Sequence, residues 1–281
     1  MVDKISKDIK ENVEKFKNTF KDADDLVYRN IKIGKKNKKE AYLIFIDGMV
    51  DKSVISDYAI EVLFDEMEID ESNLDSYKTS LSEKISEESI AVHDVKEEDS
   101  YDKLVDMILA GETVLLIDGS DKALILSTRG WPTRGVQEPQ TETVVRGPRD
   151  GFVETLRFNT ALLRRHIRDP KLKIKTLQVG RRSKTDVAVV YIEDIANDKI
   201  VEEVINRINK IDIDYLPGSA AMEALIEDSY LSLFPQLENT ERPDSAAASL
   251  LEGRVVIIVD NTPFVLMVPA TIGTLFQSTE D

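Results

Sequence analysis

Thr113-Val-Leu-Leu-Ile-Asp-Gly-Ser-Asp-Lys-Ala-Leu-Ile-Leu-Ser127 is the stretch from which the fold can be read. Two short β-rich runs flank a turn of Asp118, Gly119, Ser120 and Asp121, a strong signal for a hairpin. Working back towards the N-terminus, Tyr101–Leu109 has helical spacing and is closed by Gly111. Ser89–Val95 and Leu26–Ile33 read as strands, Ala41–Ile46 as a buried strand ended by Asp47-Gly48, and Gly34–Lys39 as a charged turn. Ser53 is placed to cap a helix running through Asp65, and Leu74–Ile85 predicts another. At the start of the chain Ile5, Ile9, Val13, Phe16 and Phe20 form one apolar stripe, which predicts an amphipathic helix. The first half is therefore expected to mix strands and helices around one sheet.

Beyond the hairpin, Thr128–Asp150 breaks the pattern with glycines at 130, 135 and 147 and prolines at 132, 139 and 148. So much backbone punctuation predicts a junction or a functional loop. Secondary structure then resumes: a helix over Gly151–Ile167, strands over Leu172–Gly180 and Asp186–Ile192, and helices over Val201–Ile208, Ala220–Glu227 and Ala246–Leu251. A second hairpin joins Arg254–Val259 to Phe264–Val268 through Asp260-Asn261-Thr262. The two halves share a closing hairpin, but their residues offer no alignable repeat. The expected fold class is α/β: two α/β subdomains with an N-terminal amphipathic helix. The division is 1–33 (helix and strand), 34–145 (first subdomain with connector) and 146–281 (second subdomain).

Composition limits the chemistry. The 281 residues contain no cysteine, which excludes a disulfide framework, thiol catalysis and cysteine-based zinc sites. There is no P-loop, no G-x-G-x-x-G after a strand and no G-x-S-x-G elbow. The two histidines, His93 and His166, lie in no metal-ligand pattern. Paired acids such as Glu97/Glu98 and Glu202/Glu203 read as solvated faces. The reading is that the chain is not an enzyme and takes no cofactor and no metal. The N-terminus is too charged for a signal peptide, and no apolar run is long enough to span a bilayer.

The net charge of −16 is unevenly spread. Thr128–Lys184 holds fourteen basic and five acidic residues, between acidic flanks. Such a block could compensate the protein's own acidic surface, meet a partner subunit or face anionic lipid. The overall acidity and the scarcity of aromatics in the block argue against nucleic acid.

Four ordered segments are more specific than general α/β patterning. They are Arg146-Gly-Pro-Arg-Asp-Gly-Phe-Val-Glu-Thr-Leu-Arg-Phe-Asn159 continuing to Pro170; Gly180-Arg-Arg-Ser-Lys-Thr-Asp-Val-Ala-Val-Val-Tyr191; Leu225-Ile-Glu-Asp228 with Phe234-Pro-Gln236; and Thr240-Glu-Arg-Pro-Asp244 followed by Leu250-Leu-Glu-Gly-Arg-Val255 and Pro263–Val268. Together they resemble the GerA/SpoVAF family of spore germination proteins, from about Thr113 to the end of the chain. The sequence departs from the family pattern at Asp150 and at Ala220-Ala221.

The resemblance implies the soluble N-terminal region of a germinant-receptor A-type subunit, with a solute-binding-protein-like fold. A bundle of membrane helices would follow soon after Asp281, making this chain part of a longer protein. It also implies a place on the cytoplasmic, or core, side of the spore inner membrane, B- and C-type subunits as partners, and homo-oligomers through the full-length protein. The role implied is sensing or transducing small nutrient germinants (amino acids, sugars or ions); the alternative is an assembly scaffold that binds no ligand.

Candidate ligand or interface residues are Arg129, Trp131, Arg134, Arg146, Arg149, Arg181, Arg182, Glu241 and Arg242. Arginines beside a helix start suit a carboxylate, which could come from a ligand, a partner subunit or this protein's own Glu241 or Asp244. Pro243 suits the first turn of a helix, and Asp244 suits its N-terminal dipole.

Overall fold

The computed structural model describes residues 3–33, 39–55, 95–130, 139, 141–142, 146–228 and 235–271. The chain divides into two compact units, Met1–Lys21 with Asp25–Trp131, and Asp22–Asp24 with Pro132–Asp281.

In the first unit, helix α1 (Ile9–Thr19) precedes strands β1 (Leu26–Ile33) and β2 (Lys39–Ile46), a helical turn α2 (Lys52–Val54), strand β3 (Val95–Glu98), helix α3 (Tyr101–Leu109) and the hairpin β4 (Thr113–Ile117) and β5 (Ala123–Leu126). The strands form one antiparallel sheet in the order β1-β2-β4-β5-β3. Every side chain of β4 and β5 is buried. Leu43, Phe45, Leu115, Ile117, Leu124 and Leu126 share one face, following the two-residue period of a strand. The expected Ser53 cap is corrected: Asp51 is the N-cap, its carboxylate accepting from the Ser53 backbone N–H at 2.9 Å, which places Ser53 inside the helical turn. The expected turn at 34–38, the continuation of the expected helix over 56–65, the helix expected over 74–85 and the strand expected over 89–94 lie outside the described residues.

In the second unit, helix α4 (Leu156–His166) precedes β6 (Leu172–Val179), β7 (Thr185–Ile192), helices α5 (Asp198–Asn209) and α6 (Ser219–Ile226), strand β8 (Glu238–Thr240), helix α7 (Pro243–Leu251) and the hairpin β9 (Val255–Val259) and β10 (Val265–Val268). The sheet order is β6-β7-β9-β10-β8, again antiparallel throughout. Both faces are covered. Ile174, Val190, Val256 and Ile258 pack with Leu163 of α4 and Ala246 of α7. Val187, Val189, Val255 and Ile257 pack with Val204 of α5 and Met222 of α6 on the other side. Helices on both faces explain why β9 is an unbroken run of Val and Ile rather than an alternating strand.

The helix expected over Gly151–Ile167 begins only at Leu156. The residues before it are extended because their backbone groups have partners elsewhere. Phe152 N–H donates to the Glu241 carbonyl at 2.7 Å, and Val153 N–H and C=O are both held by the Asn159 amide at 2.8 and 2.6 Å.

The two sheets have the same topology. Numbered within its own unit, each runs first, second, fourth, fifth, third. The equivalence extends to single bonds. Ile5 N–H donates to Asp99 O at 3.0 Å, as Phe152 does to Glu241 O at 2.7 Å. Gly119 N–H donates to Lys7 O at 3.0 Å, as Asn261 does to Glu154 O at 2.7 Å. Asp118 N–H donates to Glu40 O at 2.9 Å, as Asp260 does to Asp186 O at 3.0 Å. Asn12 grips Ser6 N–H and C=O at 2.8 and 2.6 Å, just as Asn159 grips Val153. Gly111 (φ 87°) and Gly253 (φ 88°) both end the helix before the hairpin in the left-handed region. A Cβ there would lie 3.1 Å from Met49 O and 2.9 Å from Ile195 O, so both sites favour glycine twice over. The repeat that the residues alone do not reveal is therefore present in the fold.

Asn159 is fully buried, and truncating it leaves the Val153 N–H and C=O unpaired. Asn159→Ala is expected to lower unfolding free energy by about 1–3 kcal/mol, measured by urea denaturation. Asn12→Ala should act in the same direction. An unchanged midpoint for both would show that the clamps are idle.

Candidate functional site

Helix α7 starts at a corner where several expected residues meet. Pro243 occupies its first turn, where the missing N–H costs nothing, and Arg242 is the N-cap residue. The Arg242 guanidinium grips Asp244 through two bonds, Nε to Oδ1 at 3.1 Å and Nη2 to Oδ2 at 2.6 Å. Burial pushes the Asp244 carboxyl up, but hydrogen bonding and charge from Arg242, with backbone N–H groups at the helix start, outweigh it and hold the group below the usual carboxylate range. Glu241 is buried, and its Oε2 accepts from the Thr141 backbone N–H at 2.9 Å and hydroxyl at 2.8 Å. The Thr240 hydroxyl donates to Glu142 Oε2 at 2.6 Å. Thr141 and Glu142 belong to the long connector, so this corner fastens it to the end of β8.

The other expected residues do not gather there. Arg129 lies in the first unit, where its Nε donates to Glu112 Oε1 at 2.8 Å. Burial raises the Glu112 carboxyl above its ordinary range; the Arg129 charge and the Thr128 N–H only partly offset this. Arg181 forms a two-bond pair with Asp212 at 2.6 and 2.5 Å, wholly in solvent, where such pairs contribute little. Arg146 and Arg182 are exposed, and neither guanidinium has an ion-pair partner among the described residues. Arg149 is exposed and engaged within the protein. Trp131 and Arg134 lie outside the described residues.

A third feature carries no expected site residue. A cavity of about 600 Å³ opens in the second unit beside α5. Ile200 and Val204 of α5, Leu237 and Val268 form its apolar wall. At one end Arg207 is locked in place, donating to Glu203 Oε1 at 2.7 Å, to Asp228 Oδ1 at 2.5 Å and to the Ile226 carbonyl at 2.7 Å. Asp228 N–H in turn donates to Gln236 Oε1 at 2.8 Å, and Ala270 N–H to the Gln236 carbonyl at 2.8 Å. Sequence reasoning missed this groove although two of the four quoted segments line it: the third through Ile226, Asp228, Pro235 and Gln236, and the fourth through Val268. The signal was present in those segments, but only the pairing of β8 with β10 brings them together. Among the described residues no group of His, Cys, Asp and Glu is arranged to hold a metal ion. His166 Nε2 lies 3.1 Å from Asp150 Oδ2.

The fold is of the kind found in the N-terminal domain of a germinant-receptor A subunit. The crystal structure of the N-terminal domain of the A subunit of the Bacillus megaterium spore germinant receptor GerK3 superposes with a TM-score of 0.75 at 34% identity, covering 97% of this chain and 98% of that one. The chain belongs to the family described as Bacillus/Clostridium GerA spore germination protein, whose model matches residues 14–281. Relatives include spore germination protein KA of Bacillus subtilis (strain 168), 39% identical over 99% of this chain and 50% of its own length. Spore germination protein GerLA of Bacillus cereus is 36% identical over 92% of this chain and 51% of its own. The chain thus spans about half the length of the curated relatives it matches.

The Arg242–Asp244 pair sets a pH dependence. A carboxyl depressed in the folded state adds stability above its unfolded pKa and loses it as pH falls through the folded value. Arg242→Ala is expected to cost about 1 kcal/mol at pH 7. Parallel denaturation curves should show this deficit shrinking as pH falls from about 5 to about 3. A deficit independent of pH would mean that Arg242 acts by packing alone.

Proposed function

We propose that the chain is the soluble N-terminal region of a membrane-anchored germinant-receptor A-type subunit, on the core side of the spore inner membrane. There it transduces the arrival of small nutrient germinants (amino acids, sugars or ions) to a membrane bundle, together with B- and C-type subunits and through homo-oligomers of the full-length protein. The likeness to the GerK3 A-subunit domain, spanning nearly the whole of both chains, carries this reading. A relative from Bacillus subtilis (strain 168), 39% identical over 99% of this chain, is described as the membrane protein YfkQ. Among the described residues no helix is long and apolar enough to cross a membrane.

The arginines divide by role. Arg129 and Arg242 are spent on Glu112 and Asp244, which favours holding the fold over holding a ligand, and Arg181 is paired with Asp212 in solvent. Arg146 and Arg182 project to solvent and suit an acidic partner surface. An assembly scaffold would use the same exposed charges, so the test must separate assembly from response.

Spores carrying the full-length protein with Arg146→Glu and Arg182→Glu are expected to germinate several-fold more slowly with nutrients, while this chain with the same changes melts as wild type. Normal receptor-subunit levels with a lost response support transduction; depleted partner subunits support the scaffold. Unchanged germination overturns the interface role.

A further inference from the structure

The groove beside α5 has features that the corner at α7 lacks. Lys199, Ile200, Glu203, Val204 and Arg207 lie at helical positions that share one side of α5, so the groove follows that helix for about 12 Å. Its volume of about 600 Å³ is that of a small-molecule site. The wall is aliphatic, and Pro235 and Pro269 also line the groove, with backbone that has no N–H to offer.

The charges at the rim are not equivalent. Glu203 and Asp228 are both bound to Arg207, whose guanidinium also bonds the Ile226 carbonyl. Those three ionic groups hold one another in a fixed arrangement, with one negative charge in surplus. The Lys199 ammonium is exposed at the groove and has no ion-pair partner among the described residues. Among the described residues it is the only uncommitted charged group of the lining, and it is a cation.

We propose that this groove binds a small aliphatic carboxylate, its hydrocarbon tail against Ile200, Val204, Leu237 and Val268 and its carboxylate on the Lys199 ammonium. The tail gains by leaving water, and the head exchanges hydration for a charge-assisted hydrogen bond at a rim still open to solvent. A branched chain of about six carbons fits within the volume. The same chemistry is carried by a simple fatty acid and by an aliphatic α-amino acid. An added ammonium would find Glu203 and Asp228 already engaged, so it gains only if it displaces Arg207 from one of them. This site is built wholly from the second unit and stands on its own geometry, whatever role the chain has in spores.

Titration of the 281-residue chain with 4-methylpentanoate, leucine and the neutral 4-methylpentanamide, followed by calorimetry or amide chemical shifts, tests the proposal. Saturable binding of at least one of the two acids is expected, with the amide about tenfold weaker than the better acid. Stronger 4-methylpentanoate identifies a simple carboxylate as the source; equal or stronger leucine identifies an amino acid. Lys199→Ala should abolish the preference for acid over amide without changing the melting temperature. Ile200→Glu, at a half-buried position, should abolish binding of all three. The proposal is overturned if neither acid saturates at millimolar concentration, if the amide binds as well as both acids, or if Lys199→Ala leaves the preference intact. Should Ile200→Glu fail to fold, Ile200→Ala, with weakened binding of all three compounds, serves in its place; unchanged binding there also overturns it. Failure here leaves the transducing role standing, since that role is read from spores.

Discussion

Each unit depends on one short extended segment that belongs to no sheet and must still satisfy its backbone. In the first unit it precedes α1; in the second it precedes α4. On one side its N–H finds the residue that follows the third strand, Asp99 or Glu241. On the other its carbonyl receives the hairpin turn, from Gly119 or Asn261. The remaining groups are taken by a buried asparagine one turn into the helix, Asn12 or Asn159. Asparagine suits this because one amide supplies both a donor and an acceptor. The segment thereby ties the first helix, the third strand and the closing hairpin together. Without it the hairpin could pair within the sheet and still leave the first helix unplaced, because buried backbone left unpaired is too costly to tolerate.

Much of the architecture is legible in the residues. The hairpin at Thr113–Ser127 is legible because its turn chemistry and its apolar runs agree; both strands and the helix before them, closed by Gly111, stand where the pattern places them. Strands β6 and β7, helices α5 to α7 and the second hairpin follow in the same way. What escapes is whatever depends on partners distant in sequence. The late start of α4 is invisible because Gly151–Thr155 is compatible with helix until Glu241 and Asn159 claim its backbone. Strand β8 is only three residues long and mostly polar, with no periodicity to declare it. The repeat escapes because most of its shared contacts are between backbone groups, which any residue supplies, and one asparagine and one glycine per unit are too few to align. Even its charged positions differ. Buried Glu112 pairs with Arg129 in one unit, whereas buried Arg254 pairs with Glu238 at 2.9 Å in the other. Of the site, the residues of the α7 corner are legible from the Arg-Pro-Asp pattern. The groove is not, since its walls come from segments that are unremarkable singly.

The two units share a frame, and the second shows what can be hung on it. In the frame, the second strand lies one in from an edge, and the chain must reach the opposite edge before it forms the third. That long passage is where the second unit carries α5 and α6, covers one sheet face and encloses the groove. Constraint is concentrated in the frame, where a glycine faces a carbonyl and an asparagine clamps a backbone. Freedom is concentrated in the passage, where the side chains need only pack. A binding site placed there can change its specificity without disturbing the hydrogen bonds that hold the sheet.

The outer edge of β6 is not finished by the second unit's own consecutive chain. Asp22–Asp24, from before the first unit's sheet, supplies a short parallel partner: Asp24 N–H donates to Ile174 O at 2.9 Å, Ile174 N–H donates to Asp22 O at 3.0 Å, and the Asp24 carboxylate accepts from Thr176 N–H at 2.7 Å. The boundary between the units is thus a boundary in space and not a single position along the polypeptide. A gene cut at the connector would yield a second half with a bare edge, free to recruit a strand from a neighbour. The second unit is in this sense discontinuous along the chain: three residues from before the first sheet complete its edge strand.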